Sequence, residues 1–299
     1  MLNCQEGGAQ NGAHRPRAGA LAVIVGGLAA ATLPGSVPAR ALGLAAVVVV
    51  VMAARLASQR PAGAIEVAAA ASLVAALALE PGTASAALAT PWLGVAVWRA
   101  GGAARSWWRA PSVADAVIAR LAAWGYLLVG ASWALLSRAG VDPAGIGDQL
   151  VELTAVHFHY AGFGAAVLLA CLAARRSLPL AIRSAVILGP VIVAAGFVGP
   201  PLLQAIGTAV MGVGLVGLAA GTLTAGGIAS NAPVVARLCL VVSSLSIVAG
   251  MALALHFAAA PWLGWTPLSV DLMARSHGIL NGAGFVALGV TGRRLEMAG

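Results

Sequence analysis

Apolar residues in this chain run in long blocks, separated by short clusters of arginine, proline and glycine. The blocks lie at about 18–33, 41–58, 63–80, 84–100, 115–137, 149–173, 179–198, 202–226, 233–257 and 267–291. Each is long enough to cross or nearly cross a hydrocarbon layer as an α-helix, so the pattern predicts an all-α bundle of about ten transmembrane spans. The breaks carry turn-forming residues: Pro34-Gly35, Arg60-Pro61, Pro81-Gly82, Gly199-Pro200-Pro201 and Asn231-Ala232-Pro233.

Composition agrees. Of 299 residues, 61% are hydrophobic and 9% charged, with a mean hydropathy of +0.95, where a soluble domain carries roughly a quarter charged residues. The net charge of +8 comes from seventeen basic residues, all arginine. They are dispersed through the gaps between blocks and gathered on no single element, which argues against nucleic-acid binding and for membrane topology. With a cytoplasmic N-terminus, the inner segments hold Arg15, Arg17, Arg55, Arg60, Arg99, Arg105, Arg109, Arg175, Arg176, Arg183, Arg237, Arg293 and Arg294. The outer segments hold Arg40, Arg138 and Arg275. The asymmetry places both termini in the cytoplasm.

The expected organisation is a polar cytoplasmic tail at 1–17, five alanine-rich spans over 18–137, and an outer loop at 138–148. Five spans carrying histidine motifs follow over 149–291, then a cytoplasmic tail at 292–299. The first block also has features of a signal peptide, since Arg15 and Arg17 precede a short apolar core and Ala39-Arg40-Ala41 resembles a cleavage site. Retention is the expectation, because many spans follow. Trp107 and Trp108 beside Arg105 and Arg109, and Trp262 and Trp265 in "PWLGWTP", read as interfacial anchors. Cys4, Cys171 and Cys239 are isolated, with no CxxC or CxxCH, and read as free thiols.

Titratable residues inside spans are costly and mark candidate sites. The sixth span opens near Asp148, a candidate N-cap, and carries Glu152, His157, His159 and Tyr160, with His157 about 12 Å along it. The tenth opens with Thr266-Pro267 as cap and first turn and carries Asp271, Arg275, His277 and Asn281, with His277 about 15 Å along. His256 lies near the outer end of the ninth. Glu152, His157, His159, His277 and Asn281 are therefore the candidate substrate or proton site, with Tyr160, His256, Asp271 and Arg275 as supporting positions. Glu66 and Arg120 lie near cytoplasmic ends and read as structural. The plainer alternative is that each histidine donates to a neighbouring helix backbone and that Asp271 and Arg275 form a surface pair.

His157 and His159, two apart on a helix, point about 200° away from each other. Glu152 and His159, seven apart, share a face, so they are expected to line one cavity wall while His157 grips an adjacent helix or a ligand on the other side. The triplet Ala-Gly-Phe recurs at 161–163, 195–197 and 283–285, and Pro190 marks a kink in the seventh span. No internal sequence repeat supports two inverted halves of five spans. There is no Walker A motif and no HExxH. "HGILN" has the His-x-x-x-Asn spacing of rhomboid proteases, but the GxSG serine such an enzyme needs is missing.

"ELTAVHFHYAGF" at 152–163, followed by "RSHGILNGAGF" at 275–285, resembles the paired HFH-type and HG-x-LN-type motifs of the YndJ-like family of bacterial membrane proteins. The resemblance covers roughly 145–291. It implies a multi-pass membrane protein of transporter type, with Glu152, His157, His159, His277 and Asn281 as motif residues, and it implies no particular ligand.

Three functions fit these residues. The first is a transporter or permease in which the histidines and Glu152 bind an unknown small molecule or ion, or move protons. The second is an enzyme or sensor holding a transition metal or haem on His157, His159 and His277. The third is a structural subunit in the lipid bilayer whose polar cluster serves packing alone.

Overall fold

The computed structural model describes residues 32, 36–58, 60–143 and 145–298. Among them the chain is all-helical, without strands. The helices are α1 (Val37–Ser58), α2 (Ala64–Leu77), α3 (Thr83–Arg109), α4 (Asp115–Ala139), α5 (Asp148–Ala173), α6 (Leu180–Val198), α7 (Pro201–Leu223) and α8 (Val234–Leu263). The last, α9, is assembled from Val270–Arg275, His277–Ile279, Leu280–Ala287 and Leu288–Glu296.

Six of these, α1 and α4 to α8, are both long and apolar enough to cross a membrane. This is the make-up of a multi-pass membrane protein, with fewer such helices than the ten blocks suggested. The differences have local causes. The block at 18–33 lies outside the described residues. Helix α2 spans only 14 residues. Helix α3 is 27 residues long but carries Arg99, Arg105 and Arg109. Helix α9 is broken at Ser276, whose hydroxyl donates to the Leu272 carbonyl at 2.6 Å.

Helix ends follow local chemistry. Ser36 caps α1 by accepting the Ala39 N–H at 3.1 Å. Gly140 and Gly264 end α4 and α8 with left-handed φ of 69° and 67°. The expected caps shift by a few residues. Asp148 is the first residue of α5 rather than its cap, and α9 begins after Ser269, whose hydroxyl accepts the Leu272 N–H, not at Thr266-Pro267.

In lipid no hydrophobic force drives helix against helix, so close packing must supply the attraction, and glycine allows it. Along the antiparallel pair α6 and α7, a Cβ at Gly196 would meet the Gln204 backbone at 2.4 Å, and one at Gly207 or Gly214 would meet the α6 backbone at 2.7 Å. The α8 and α9 pair is bound the same way through Gly250, Gly284, Gly289 and Gly292. Helix α5 lies at the centre, with 78% of its apolar window buried, against 28% in α6 and 33% in α8.

Three π-helical segments interrupt α1 (Ala45–Val50), α5 (Phe158–Gly164) and α9 (Leu280–Ala287), and they pack against one another. Helices α5 and α9 run parallel. Gly282 faces the Tyr160 ring and Gly164 faces Val286, pairs separated by the same number of positions. That offset also carries Asp148 to Val270, the first residues of α5 and α9, and Phe158 to Leu280, the first residues of their π segments. The three Ala-Gly-Phe triplets thus divide: 161–163 and 283–285 occupy matching places, and 195–197 lies apart at the end of α6.

The correspondence extends to neighbouring helices. Gly130 of α4 lies against His159, and Gly250 of α8 lies against Asn281. Gly162 lies against Tyr126 of α4, and Gly284 lies against Ser246 of α8. The α4–α5 and α8–α9 pairs therefore share register and run in the same sense; α2 and α3 precede the first pair as α6 and α7 precede the second, giving two four-helix units in chain order after α1.

Candidate functional site

A cavity of about 210 Å³ lies within the second unit, where it meets α1 and α5. Its lining comes from the first halves of α1, α5, α7 and α9 and the last halves of α6 and α8, all toward one end of the bundle. The walls are mostly apolar, with Phe197, Phe257, Met211 and Met251 among them. Polar groups come from Thr154, His157, Tyr160, Gln204, Thr208, His277 and Asn281. Among the described residues, no arginine, aspartate or glutamate lines it. At the inner limit the Tyr160 ring lies against Gly282 and its hydroxyl donates to the Ala41 carbonyl at 2.9 Å. Beyond, Phe163, Leu215 and Ile247 are fully buried.

The structure divides the five predicted site residues into three places. His157, His277 and Asn281 meet at the cavity. His157 donates Nε2–H to the carbonyl of Pro190, at the kink position of α6, at 3.1 Å. Since a carbonyl only accepts, the neutral ring keeps a lone pair on Nδ1. His277 donates Nδ1–H to the Gly250 carbonyl at 2.8 Å, and its Nε2 accepts from Asn281 Nδ2 at 2.7 Å.

His159 lies on the far side of α5. It is fully buried, donates Nδ1–H to the Ala155 carbonyl at 2.8 Å, and accepts the indole N–H of Trp92 at 3.0 Å. The indole lies nearly parallel to the imidazole, 15° apart with centroids at 6.1 Å. Glu152 lies on that side too, near the end of the bundle. It accepts from Ser36 Oγ at 2.6 Å and pairs with Arg138 at 3.2 Å, both side chains 9% exposed. Glu152 and His159 do share a face, as their spacing requires. Trp92 packs beside His159 on that face, and Glu152 and Arg138 line a separate cavity at the end of the bundle with Ser36, Ser137 and Gln149, so neither Glu152 nor His159 forms a wall of the His157 cavity.

The supporting positions scatter as well. Tyr160 floors the cavity. His256 stacks on Trp265 with centroids 5.2 Å apart, outside the cavity. Asp271 and Arg275 form an exposed pair on the first turn and a half of α9. His14 lies outside the described residues. For a metal or haem, His157, His159 and His277 would have to converge; His159 faces away, and both nitrogens of His277 are engaged. Among the described residues no group of three or more His, Cys, Asp or Glu side chains could hold a metal.

Glu66, read as structural, accepts from Gly63 N–H at 2.7 Å and pairs with Arg99 near the other end, and the Arg99 guanidinium lies over Trp98 and Trp124. Sequence reasoning passed over Gln204 and Thr208. A glutamine in the apolar run "PLLQAIGTAV" was the available signal. Arg138, assigned to an outer loop, is a buried residue in the last turn of α4.

The model of a family described as YndJ-like protein matches residues 40–285. The match takes in the alanine-rich first half as well as the histidine motifs, and so extends well beyond the resemblance carried by 145–291. No curated protein and no solved structure matches the chain.

Proposed function

The chain belongs to the YndJ-like family, and from that premise we propose that it is a carrier of the bacterial inner membrane for an uncharged, largely apolar small molecule. The cavity supports this reading: six helices surround a space with polar contacts and, among the described residues, no charged side chain. A charged substrate in such a place would lack a counterion in low dielectric. Protons have no evident partner there either, because Glu152 is bound to Arg138 and Ser36 away from His157 and His277.

The sidedness follows from arginine. Arg40, Arg138 and Arg275 lie at the cavity end of the bundle, whereas Arg55, Arg105, Arg109, Arg175, Arg176, Arg183, Arg237, Arg293 and Arg294 lie at the other. The cavity end is then the outer one. Counting α2, α3 and α9 as crossings gives nine spans among the described residues. The π segments at the cavity floor are the elements whose shift would open the inner side, π-bulges being frequent at functional sites.

Alternating access can be tested without knowing the substrate. With Cys4, Cys171 and Cys239 changed to serine, Thr208→Cys places a thiol in the cavity. A carrier exposes it to a membrane-impermeant thiol reagent from the outer side and, at a different rate, from the inner side of inverted vesicles. Reaction from the outer side alone defeats the carrier reading and leaves a binding protein. Reaction from neither side leaves the structural role.

A further inference from the structure

The two units differ most where their correspondence matters most. In the first unit, Trp92 on the second helix, α3, reaches toward the fourth, α5, and its indole fills the space beside His159. In the second unit, α7 and α9 are likewise the second and fourth helices in chain order, and Asn281 corresponds to His159 through the matching glycines Gly130 and Gly250. Here α7 presents Gln204, Thr208 and Met211, with no aromatic ring, and the space between α7 and α9 is the cavity.

Resting on the reading of this cavity as a substrate site, we propose that it is the open counterpart of the Trp92 position and takes a flat, uncharged aromatic molecule bearing one N–H or O–H, of which indole is the simplest. The walls suit that class independently of the repeat. Phe197, Phe257, Tyr160 and the two imidazoles offer ring faces and edges, and Met211 and Met251 offer sulfurs, which interact favourably with aromatic rings. The donor finds its acceptor in His157: with Nε2–H committed to the Pro190 carbonyl, Nδ1 has its lone pair for the ligand. In the first unit, His159 Nε2 plays that part toward Trp92. The absence of charge among the described lining residues selects against indole derivatives with a carboxylate or an ammonium group.

The test uses the full chain in lipid nanodiscs, with empty nanodiscs subtracted, and four probes: indole, 2-naphthol, naphthalene and 2-decalol. Indole and 2-naphthol are expected to bind saturably, at least about tenfold more tightly than naphthalene, which lacks the donor, and 2-decalol, which lacks the aromatic ring. Met211→Trp, which supplies on α7 the ring that α3 already carries, is expected to abolish indole binding. Thr208→Phe fills the same space by another route should that variant not fold. Equal affinity for 2-decalol, undiminished binding in the filled variants, or no saturable binding of any probe overturns the proposal. Thiol labelling of Thr208→Cys from both sides would still stand in those cases, so failure here is distinct from failure of the carrier reading.

Discussion

Trp92 donates its indole N–H to Nε2 of His159, which turns its other nitrogen to the Ala155 carbonyl, so both ring nitrogens of a fully buried histidine are spent on structure. His159→Ala removes the acceptor of a buried N–H and leaves a void beside the indole. It is expected to cost about 2–4 kcal/mol of stability. His157→Ala, at a cavity wall that is already open, is expected to cost clearly less and to abolish function. Thermal unfolding beside transport per folded protein separates the two. A stable His159→Ala protein without activity would put His159 in the working site.

Arg138 and Glu152 form an ion pair in which both side chains are almost wholly removed from solvent. Removing one partner strands the other charge, at a cost of about 3–5 kcal/mol, whereas removing both relieves it. Arg138→Met and Glu152→Gln singly should each lower the unfolding temperature, and the double variant should be more stable than the sum of the two predicts. Arg138 also donates to the Leu79 carbonyl and to Ser137, so its single variant should be the worse of the two. Additive effects in the double-mutant cycle would show that the pair is not coupled.

The glycines are not equivalent. At Gly196 an added Cβ meets the Gln204 backbone at 2.4 Å, and backbone within a packed helix pair cannot give way as a side-chain tip does. Gly196→Ala is expected to cost about 1–3 kcal/mol through separation of α6 from α7. Gly125→Ala meets nothing within 4 Å and should be neutral or stabilise α4 by about 0.5–1 kcal/mol through helix propensity. Unfolding of the two variants side by side decides it, and similar stabilities would refute glycine-mediated packing.

Much of the helical layout was legible because hydropathy and punctuation are local: Pro81-Gly82 and Pro200-Pro201 mark ends wherever they fold. The motif residues His157, His277 and Asn281 were legible as costly groups at one depth. That His159 turns away from the His157 cavity onto Trp92 was not, because spacing shows that Glu152 and His159 share a face but not which side chain of another helix packs there. Arg138 was read as a loop residue because its partner lies on α5. The repeat was hidden for a related reason. What the two units share is register, kept by Gly130 and Gly250 and by the paired Ala-Gly-Phe triplets, while the side chains facing those glycines changed from His159 to Asn281 and from Tyr126 to Ser246. Correspondence carried by helix contacts leaves little trace in residue identity.

Orientation supplies the last prediction. Arginine lies overwhelmingly at the end of the bundle opposite the cavity, and the positive-inside rule then puts Ala225, between α7 and α8, in the cytoplasm and Thr266, between α8 and α9, outside. Both positions are exposed. In a chain with Cys4, Cys171 and Cys239 changed to serine, Thr266→Cys should react with an impermeant maleimide in intact spheroplasts. Ala225→Cys should react only after lysis or in inverted vesicles. The reverse pattern would turn the bundle over and place the cavity on the cytoplasmic side, so the proposed carrier would load from within. Labelling of both positions from one side would mean that α8, 30 residues long, does not cross the membrane.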